Sequence, residues 1–257
     1  MKEQLEKQQE NAFTQDLLLG GRIALLQPAQ GYRVAIDPLL LSASVNADPG
    51  ETILDVGAGV GAAGLCLATR LPHCRIMGIE RQKDLVRLAN DNIVLNNLRD
   101  RVEILQGDLQ SPPPRLAAGS YSQVISNPPY FESTHGRISP ISNKGLSNHE
   151  DDFDMEGWLK FSLLMLKPSG RITFIYRAEM LDKLLGLFYG KVGDIKVFPF
   201  WPSLGQIAKR VIVQGVKGSR GGLNLLPGMV LHNADGSFTQ EADALLKNGH
   251  HLNLELS

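Results

Sequence analysis

The segment VISNPPYF, residues 124–131, combines groups that could bind a planar amino compound. Its apolar start is typical of a short strand, and because proline cannot donate to a strand ladder, we expect the strand to end at Asn127. The Asn127 carboxamide oxygen and the Pro128 carbonyl could both accept from one NH2 group, while Tyr130 offers a flat face to a base or an amide. An Asn-Pro pair is also typical of a simple turn after a strand, so the motif alone leaves both interpretations open.

A glycine-rich turn precedes this segment, in ILDVGAGVGAAG at residues 53–64. Gly57 and Gly59 follow an apolar run and lead into a helical pattern, which is where a backbone comes close to a ligand. With Ala62 the spacing also satisfies the dinucleotide-binding pattern, so the glycines alone leave NAD open. The turn lacks the Gly-Lys-Ser or Gly-Lys-Thr of a nucleoside triphosphate site, which argues against a P-loop.

Polar side chains close four successive predicted strands, at Asp55, Glu80, Asp108 and Asn127. Because ligands of open α/β sheets bind at the carboxyl ends of the strands, we expect these four side chains to lie on one edge. The Glu80 carboxylate can accept from both hydroxyls of a ribose, in NAD or in adenosine. Asp108 could accept from an adenine amino group, with the Leu109 N–H donating to the ring.

The elements that must position these residues alternate along the chain. Apolar runs such as ETILDVG, RIMGIE, VEILQGD and SQVIS are predicted strands, and amphipathic segments around them are predicted helices. This alternation predicts α/β architecture, with a mostly parallel sheet covered by helices on both faces. The last two runs, IKVFPF and AKRVIVQGVK, are joined only by a loop, which predicts an antiparallel strand at an edge of the sheet.

Two elements are predicted before the glycine turn. The apolar runs of DLLLGGRIALLQP flank Gly20 and Gly21, which tolerate positive φ, and this pattern predicts a β-hairpin. In AIDPLLLSASV, Asp37 is predicted to cap a helix whose first position is Pro38.

The composition of the 257-residue chain is that of an ordinary globular protein, with 43% hydrophobic residues and a formal net charge of −1. Only two cysteines occur, Cys66 and Cys74, and no apolar run is as long as a membrane span. We therefore expect a cytoplasmic protein without a disulfide framework or a membrane segment. The six histidines show no ligand spacing, so no metal site is expected. The oligomeric state is unknown at this level.

Four motifs, DVGAGVG, GIE, GDL and NPPY, occur in the order found in class I S-adenosylmethionine-dependent methyltransferases, which the chain resembles. The flanking segments GGRIALLQPAQGYRVAIDPLLLSASV and KGSRGGLNLLPGMVLHNADGSFTQEA resemble the bacterial family of tRNA(Val) adenine N6-methyltransferases. The resemblance implies S-adenosyl-L-methionine as cofactor and a Rossmann-like, doubly wound sheet of seven strands with the last antiparallel. It implies an N-terminal extension at 1–49 whose helix covers the cofactor, a methyltransferase domain at 50–217 and a C-terminal extension at 218–257 packed on the same domain.

The resemblance also implies roles for individual residues. Asn127 and Pro128 would hold the two N–H groups of an exocyclic amine, most simply adenine N6 in tRNA, while Tyr130 and Phe131 would stack on the base. The same tetrapeptide serves methylation of glutamine amides in release factors, of guanine N2 in ribosomal RNA and of adenine in DNA, and a non-catalytic S-adenosylmethionine-binding module is an alternative of another class. The residues expected to line the cofactor side are Asp55, Gly57, Ala58, Gly59, Glu80, Arg81, Asp108, Leu109 and Asn127.

Basic residues are concentrated in the second half of the chain. Between Gly157 and Ala234, eleven Lys or Arg stand against three acids, which is a local net charge of +8. Such an excess is typical either of scattered solvated charges or of a surface that binds a polyanion. Lys217 and Arg220 flank a glycine-containing turn after the last strand, and we expect them to contact the phosphates of tRNA or another RNA.

Overall fold

The computed structural model of the chain describes residues 13–30, 33–129 and 155–255. The strands in these ranges are β1 (Phe13–Leu18), β2 (Ile23–Pro28), β3 (Thr52–Val56), β4 (Arg75–Glu80), β5 (Val102–Gln106), β6 (Tyr121–Ser126), β7 (Leu166–Arg177), β8 (Val192–Ser203), β9 (Arg210–Lys217), β10 (Leu223–Leu225) and β11 (Met229–His232). The α-helices are α1 (Asp37–Ala43), α2 (Ala62–Arg70), α3 (Lys83–Leu95), α4 (Met155–Met165), α5 (Leu181–Phe188) and α6 (Gln240–Leu246).

The strands β3 to β9 form a seven-stranded core sheet in the order β8-β9-β7-β6-β3-β4-β5. The strands β3 to β7 pair in parallel, and β9 pairs antiparallel with both β7 and β8. The predicted α/β fold, with a mostly parallel sheet and an antiparallel last strand, is therefore confirmed. The short strands β10 and β11 extend the sheet to nine strands, because both pair in parallel with β8.

The prediction that the antiparallel strand forms an edge of the sheet is wrong. The helix α5 connects β7 to β8, and these two strands are not neighbours in the sheet. The strand β9 follows β8 and lies between β8 and β7. Val211, Ile212 and Val213 are almost fully buried there. Such a continuous apolar run is typical of a strand that is covered on both faces.

Helices cover the sheet on both faces, as the alternation of elements predicted. One hydrophobic cluster includes Leu40 of α1, Leu65 of α2 and Ile93 of α3. The second includes Leu159 of α4 and Leu184 of α5. Residues of β3 alternate between the two clusters, so that the strand is buried on both sides and its carboxyl end is held in a fixed position.

The predicted N-terminal hairpin is confirmed, with β1 and β2 antiparallel around a turn at Gly20 and Gly21, both of which have positive φ. Both cysteines are buried free thiols, as expected for residues that pack as small hydrophobes. The C-terminal segment contacts α1, since the Leu252 N–H donates to the Ala43 carbonyl over 2.8 Å. The boundaries expected for the three parts of the chain stay a prediction.

Candidate active site

A cleft of about 990 Å³ lies at the carboxyl edge of the core sheet. This volume is in the range of small-molecule and cofactor sites. The cleft brings together all nine residues expected on the cofactor side: Asp55, Gly57, Ala58, Gly59, Glu80, Arg81, Asp108, Leu109 and Asn127. Other lining residues come from Pro128 and Pro129, from the hairpin (Phe13, Gln27, Pro28), from α1 (Pro38, Leu41) and from α4 (Trp158).

The glycine turn after β3 is bound to the neighbouring strand through its backbone. The N–H groups of Gly57 and Ala58 both donate to the Ile79 carbonyl, over 2.9 and 3.1 Å. Gly57 has φ +76°, and a Cβ at this position would lie 2.8 Å from Cζ2 of Trp158. Glycine is therefore required at position 57 both by the backbone conformation and by the ring of Trp158.

The Glu80 carboxylate closes β4 and is oriented by two backbone groups. Its Oε2 accepts from the Gly59 N–H over 3.1 Å, and its Oε1 accepts from the Gln82 N–H over 2.8 Å. Each carboxylate oxygen can accept more than one hydrogen bond, so acceptor capacity remains for a ligand in the cleft. A rigidly held carboxylate beside a glycine turn is the arrangement that binds ribose hydroxyls in nucleotide-binding sheets.

Asp55 lies deeper in the cleft than the other predicted acids and is only 3% exposed. Burial first, and the nearby charge of Glu80 second, raise the pKa of Asp55 to about 7, although a hydrogen bond from the Gly64 N–H acts in the opposite direction. The site therefore contains a carboxyl group that changes its charge near neutral pH.

Asp108 and Leu109 follow β5 at the same edge of the sheet. The Gly107 N–H donates to the Glu80 carbonyl over 3.0 Å, so this segment is joined to the end of β4. Asp108 Oδ1 accepts from the Gln110 N–H over 2.9 Å, which fixes the carboxylate in a short turn. Asp108 and Leu109 both line the cleft, where the sequence predicts contacts to an adenine ring.

The corner at Asn127, Pro128 and Pro129 follows β6 and is held by groups other than the Asn127 carboxamide. Directly before the corner, Ser126 Oγ donates to the Val56 carbonyl over 2.6 Å and accepts from Trp158 Nε1 over 2.9 Å. On its other side, Tyr176 Oη lies 3.5 Å from the Pro129 carbonyl oxygen. The corner therefore has a fixed position although it has no strand partner of its own.

Trp158 contacts both the glycine turn and Ser126, and the sequence analysis did not identify it as a site residue. The segment MEGWLKFSLLMLK indicates a helix, and α4 confirms it. The contacts of Trp158 with Ser126 and the Gly57 turn are tertiary, so helical periodicity alone does not reveal them. Tyr130 and Phe131, the predicted stacking residues, lie outside the described residues.

Lys217 and Arg220 lie away from the cleft. Because β9 is antiparallel to β7, Arg210 pairs with Arg177 at the carboxyl edge, while Lys217 pairs with Val192 at the opposite edge. The seven-residue separation along β9 is roughly 23 Å. Lys217 Nζ donates to the Leu166 carbonyl over 2.8 Å. The structure does not bring either residue together with Asn127.

Asp37 does not cap α1 through its side chain, so that prediction is wrong. Its carboxylate instead pairs with Arg210, with 2.8 Å between Oδ2 and Nε. Asp37 is 6% exposed, and the guanidinium supplies a charge-assisted partner for this buried carboxylate. The pair joins α1 to β9, and α1 contributes Pro38 and Leu41 to the cleft.

Two asparagines attach the hairpin to α3. Asn92 accepts from the Leu26 N–H over 2.7 Å and donates to the Leu26 carbonyl over 2.8 Å, and Asn96 makes the same pair of bonds with Ala24. Asn92 also donates to the Val60 carbonyl of the glycine turn over 3.1 Å. The hairpin wall of the cleft and the glycine turn are thus connected through one buried side chain.

Among the described residues, no group of three or more His, Cys, Asp or Glu side chains could hold a metal ion. In the same part of the chain, no helix is long and apolar enough to cross a membrane.

The strand order of the sheet and the cleft at its carboxyl edge agree with the Rossmann-like fold that the sequence motifs predict. S-adenosylmethionine, the cofactor expected from the sequence motifs, fits the residues present: a Cβ at Gly59 would meet nothing within 4 Å, so the turn leaves space there for close backbone approach, and Glu80 retains acceptor capacity toward the cleft. In agreement with this fold, residues 36–143 match the family model described as "Methyltransferase small domain".

Curated relatives of the chain carry the name tRNA1(Val) (adenine(37)-N6)-methyltransferase. The protein from Tolumonas auensis is 30% identical over 156 residues, which are 60% of this chain and 63% of the relative's length. The protein from Aeromonas hydrophila is 27% identical over 213 residues, which are 80% of this chain and 85% of the relative. The match thus spans less than two thirds of the Tolumonas protein and most of the Aeromonas protein.

A solved structure from Agrobacterium tumefaciens, described as a predicted O-methyltransferase, has the same fold. The TM-score is 0.69 at 24% sequence identity, and the match covers 84% of this chain and 98% of the other. The partial family match and this solved structure agree with a Rossmann-like methyltransferase fold. The resemblance read from the four sequence motifs is confirmed.

Proposed function

We propose that the protein transfers the methyl group of S-adenosylmethionine to an exocyclic amino group, and that this group is N6 of an adenine in tRNA. The observation that carries the proposal is the fixed corner at Asn127, Pro128 and Pro129, in the same cleft as the glycine turn and Glu80. An acceptor amine at this corner is adjacent to the region proposed for the cofactor.

The proposed chemistry depends on positioning. The lone pair of an exocyclic amine on a purine is delocalised into the ring, so the amine is a poor nucleophile. Asn127 Oδ1 and the Pro128 carbonyl accept the two N–H groups and direct the lone pair toward the reacting methyl group. S-adenosylmethionine supplies the electrophilic methyl group. Tyr130, next in the chain, is proposed to stack on the extruded base together with Phe131.

The cofactor roles proposed for individual residues follow the geometry of the cleft. Glu80 accepts from the ribose hydroxyls, and Asp108 with the Leu109 N–H contacts the adenine. The turn at Gly57, Ala58 and Gly59 lies against the methionine portion. Two further residues are proposed to act on the cofactor side. The protonation state of Asp55 sets the charge next to the glycine turn, and Arg81 lies beside the region that binds the ribose.

The choice of adenine in tRNA is supported by the relatives from Tolumonas auensis and Aeromonas hydrophila, whose name specifies this acceptor. Adenine 37 of tRNA1(Val) is therefore the first acceptor to test. A glutamine amide of a release factor and guanine N2 of ribosomal RNA could use the same corner and are the competing acceptors. A tRNA substrate also implies a cytoplasmic location, which is part of the proposal.

An acceptor panel tests the proposal. The purified protein is given S-adenosylmethionine with a labelled methyl group and, separately, unmodified tRNA, ribosomal RNA and a glutamine peptide from a release factor. We expect label only in tRNA, as N6-methyladenosine after digestion to nucleosides, and an Asn127→Ala control should remove it. Label in the peptide or in guanine would assign a different acceptor. No label in any acceptor would favour a non-catalytic S-adenosylmethionine-binding module.

A further inference from the structure

The loop of residues 204–209, which joins β8 to β9, lies at the same edge of the sheet as the cleft. This follows from the strand pairing, because Arg210 at the start of β9 pairs with Arg177 at the carboxyl end of β7. We call this segment the β8–β9 loop.

The end of the β8–β9 loop, where β9 begins, lies two strands away from the corner at Asn127, Pro128 and Pro129. The strand β9 pairs with β7, and β7 pairs with β6, which carries Asn127 at its end. Two strand spacings are about 10 Å. Tyr176 provides a direct connection, since its hydroxyl lies 3.5 Å from the Pro129 carbonyl oxygen and its backbone pairs with Val211 of β9.

The β8–β9 loop exposes large apolar side chains although its backbone is well anchored. Leu204 is 88% exposed and Ile207 is 73% exposed. The Lys209 N–H donates to the Phe200 carbonyl over 3.1 Å, and the Lys209 carbonyl accepts from the Ala178 N–H over 3.1 Å. A surface with a fixed backbone loses little conformational entropy when a partner binds.

The charge next to these apolar side chains is positive. Asp37 and Glu179, which lie beside the end of the loop, are already paired with Arg210 and Arg177 respectively. Lys209 is exposed and forms no ion pair with any residue in the part of the chain that the structure describes. A cation can contact a phosphate, and exposed apolar side chains can pack against the face of an unstacked base.

We propose that the β8–β9 loop is a docking surface for the single-stranded RNA that flanks the target nucleotide. Leu204 and Ile207 contact the faces of bases exposed when the target base leaves the stack, and Lys209 contacts a phosphate. The inference rests on the proposed function and names a substrate-binding element for it. Two aliphatic side chains are too few for a stable protein interface, which buries about 800 Å² on each partner.

Binding measurements on matched variants test this inference. The test variants are Leu204→Ser with Ile207→Ser, and Lys209→Ala. The controls are Tyr189→Ser and Lys191→Ala, which change an exposed aromatic residue and a lysine in the connection between α5 and β8, at the opposite edge of the sheet. Affinity for unmodified tRNA1(Val) is measured by filter binding over a salt series without cofactor, and affinity for S-adenosylhomocysteine is measured by calorimetry.

We expect each β8–β9 loop variant to weaken tRNA binding about tenfold and to leave S-adenosylhomocysteine affinity unchanged. Lys209→Ala should also lower the salt slope by about one unit, because one phosphate contact is lost. The controls should bind tRNA within twofold of wild type. Thermal melting establishes that all four variants are folded.

Suppose that the wild-type protein binds and methylates tRNA. If the β8–β9 loop variants then bind tRNA with the wild-type affinity, the inference is overturned. It is also overturned if Leu204→Ser with Ile207→Ser changes the sedimentation of the protein alone without changing tRNA affinity, since the surface would then bind a second copy. If the wild type neither binds nor methylates tRNA, the proposed function itself fails. This result differs from the two above, in which the wild type acts on tRNA and only the docking surface is wrong.

Discussion

The two halves of the cleft are built in different ways. In the cofactor half, Glu80, Asp108 and most of the glycine turn are held by backbone groups close to them in sequence or on the adjacent strand. The exceptions are two distant side chains on the glycine turn, Asn92 at the Val60 carbonyl and Trp158 at Gly57. In the acceptor half, the corner at residues 127–129 is held by Trp158 and Tyr176, which lie 32 and 47 residues further along the chain. The difference implies that the cofactor half can function when the acceptor half is damaged.

The largest effect is expected from Asn127→Ala, which removes one of the two acceptors proposed for the amine. Methyl transfer to tRNA should fall at least 100-fold, about 3 kcal/mol, because the lone pair is no longer directed at the methyl group. Single-turnover kinetics at saturating cofactor measure the rate. Pro129→Ala, which keeps the Asn127 carboxamide, is the matched control and should retain most of the rate. Equal rates for wild type and Asn127→Ala would remove Asn127 from the chemistry.

The second prediction concerns Asp55, in the cofactor half, and the dependence of folding stability on pH. The folded-state pKa of Asp55, about 7, lies above the unfolded value of 3.8, so the folded protein holds a proton that the unfolded chain has released. Wild-type stability is therefore lost as the pH rises through this window. Asp55→Asn keeps an acceptor but cannot titrate, so it does not share this loss of stability. The difference in free energy of unfolding, variant minus wild type, should therefore increase by about 2 kcal/mol from pH 5 to pH 7. Urea denaturation at the two pH values measures it, and a constant difference would contradict the account.

The third prediction concerns Glu80→Ala and the affinity of the cofactor half for its ligand. The variant should weaken S-adenosylhomocysteine binding about tenfold, roughly 1.4 kcal/mol, because the ribose hydroxyls lose their acceptor. Glu103→Ala removes a carboxylate that pairs with Arg115 on the surface, and it should bind the ligand like wild type. Calorimetry on both variants gives the comparison, and unchanged affinity in Glu80→Ala would exclude the ribose contact.

The smallest effect separates two asparagines with similar contacts to the hairpin. Asn92→Leu loses bonds to both β2 and the Val60 carbonyl of the glycine turn, whereas Asn96→Leu loses only its bonds to β2 and to the adjacent helix. We expect the dissociation constant of S-adenosylhomocysteine to rise about threefold more in Asn92→Leu. Calorimetry at a temperature where both variants are folded measures this, and equal affinities would show that the link to Val60 is unimportant for the ligand.

The acids of the cofactor half were predictable from sequence because a single rule on strand ends locates them in the fold. Polar residues that end successive parallel strands meet at one edge, and Asp55, Glu80 and Asp108, which were chosen in this way, line the cofactor half of the cleft. The antiparallel last strand was also predicted, but its position inside the sheet depends on the width left between β7 and β8, which sequence does not show. The antiparallel direction of β9, by contrast, places Arg210 rather than Lys217 at the edge of the cleft.

The acceptor half was predicted less completely because its contacts are long-range. Lys217 and Arg220 were chosen for charge and loop composition, yet the direction of β9 places them at the opposite edge. Asp37 was expected to cap a helix, but its partner Arg210 is 173 residues away. The hydrogen bond from Trp158 to Ser126 depends on the packing of α4, which periodicity does not determine.

The independence of the two halves is tested most directly by calorimetric titration of S-adenosylhomocysteine into wild type and Asn127→Ala in parallel. We predict a dissociation constant in the micromolar range for wild type, roughly −8 kcal/mol, and a value within threefold of it for Asn127→Ala. Loss of binding in Asn127→Ala would contradict the division of the cleft into two halves. Binding of NADH by wild type, with no response to S-adenosylhomocysteine, would contradict the assignment of the cleft itself.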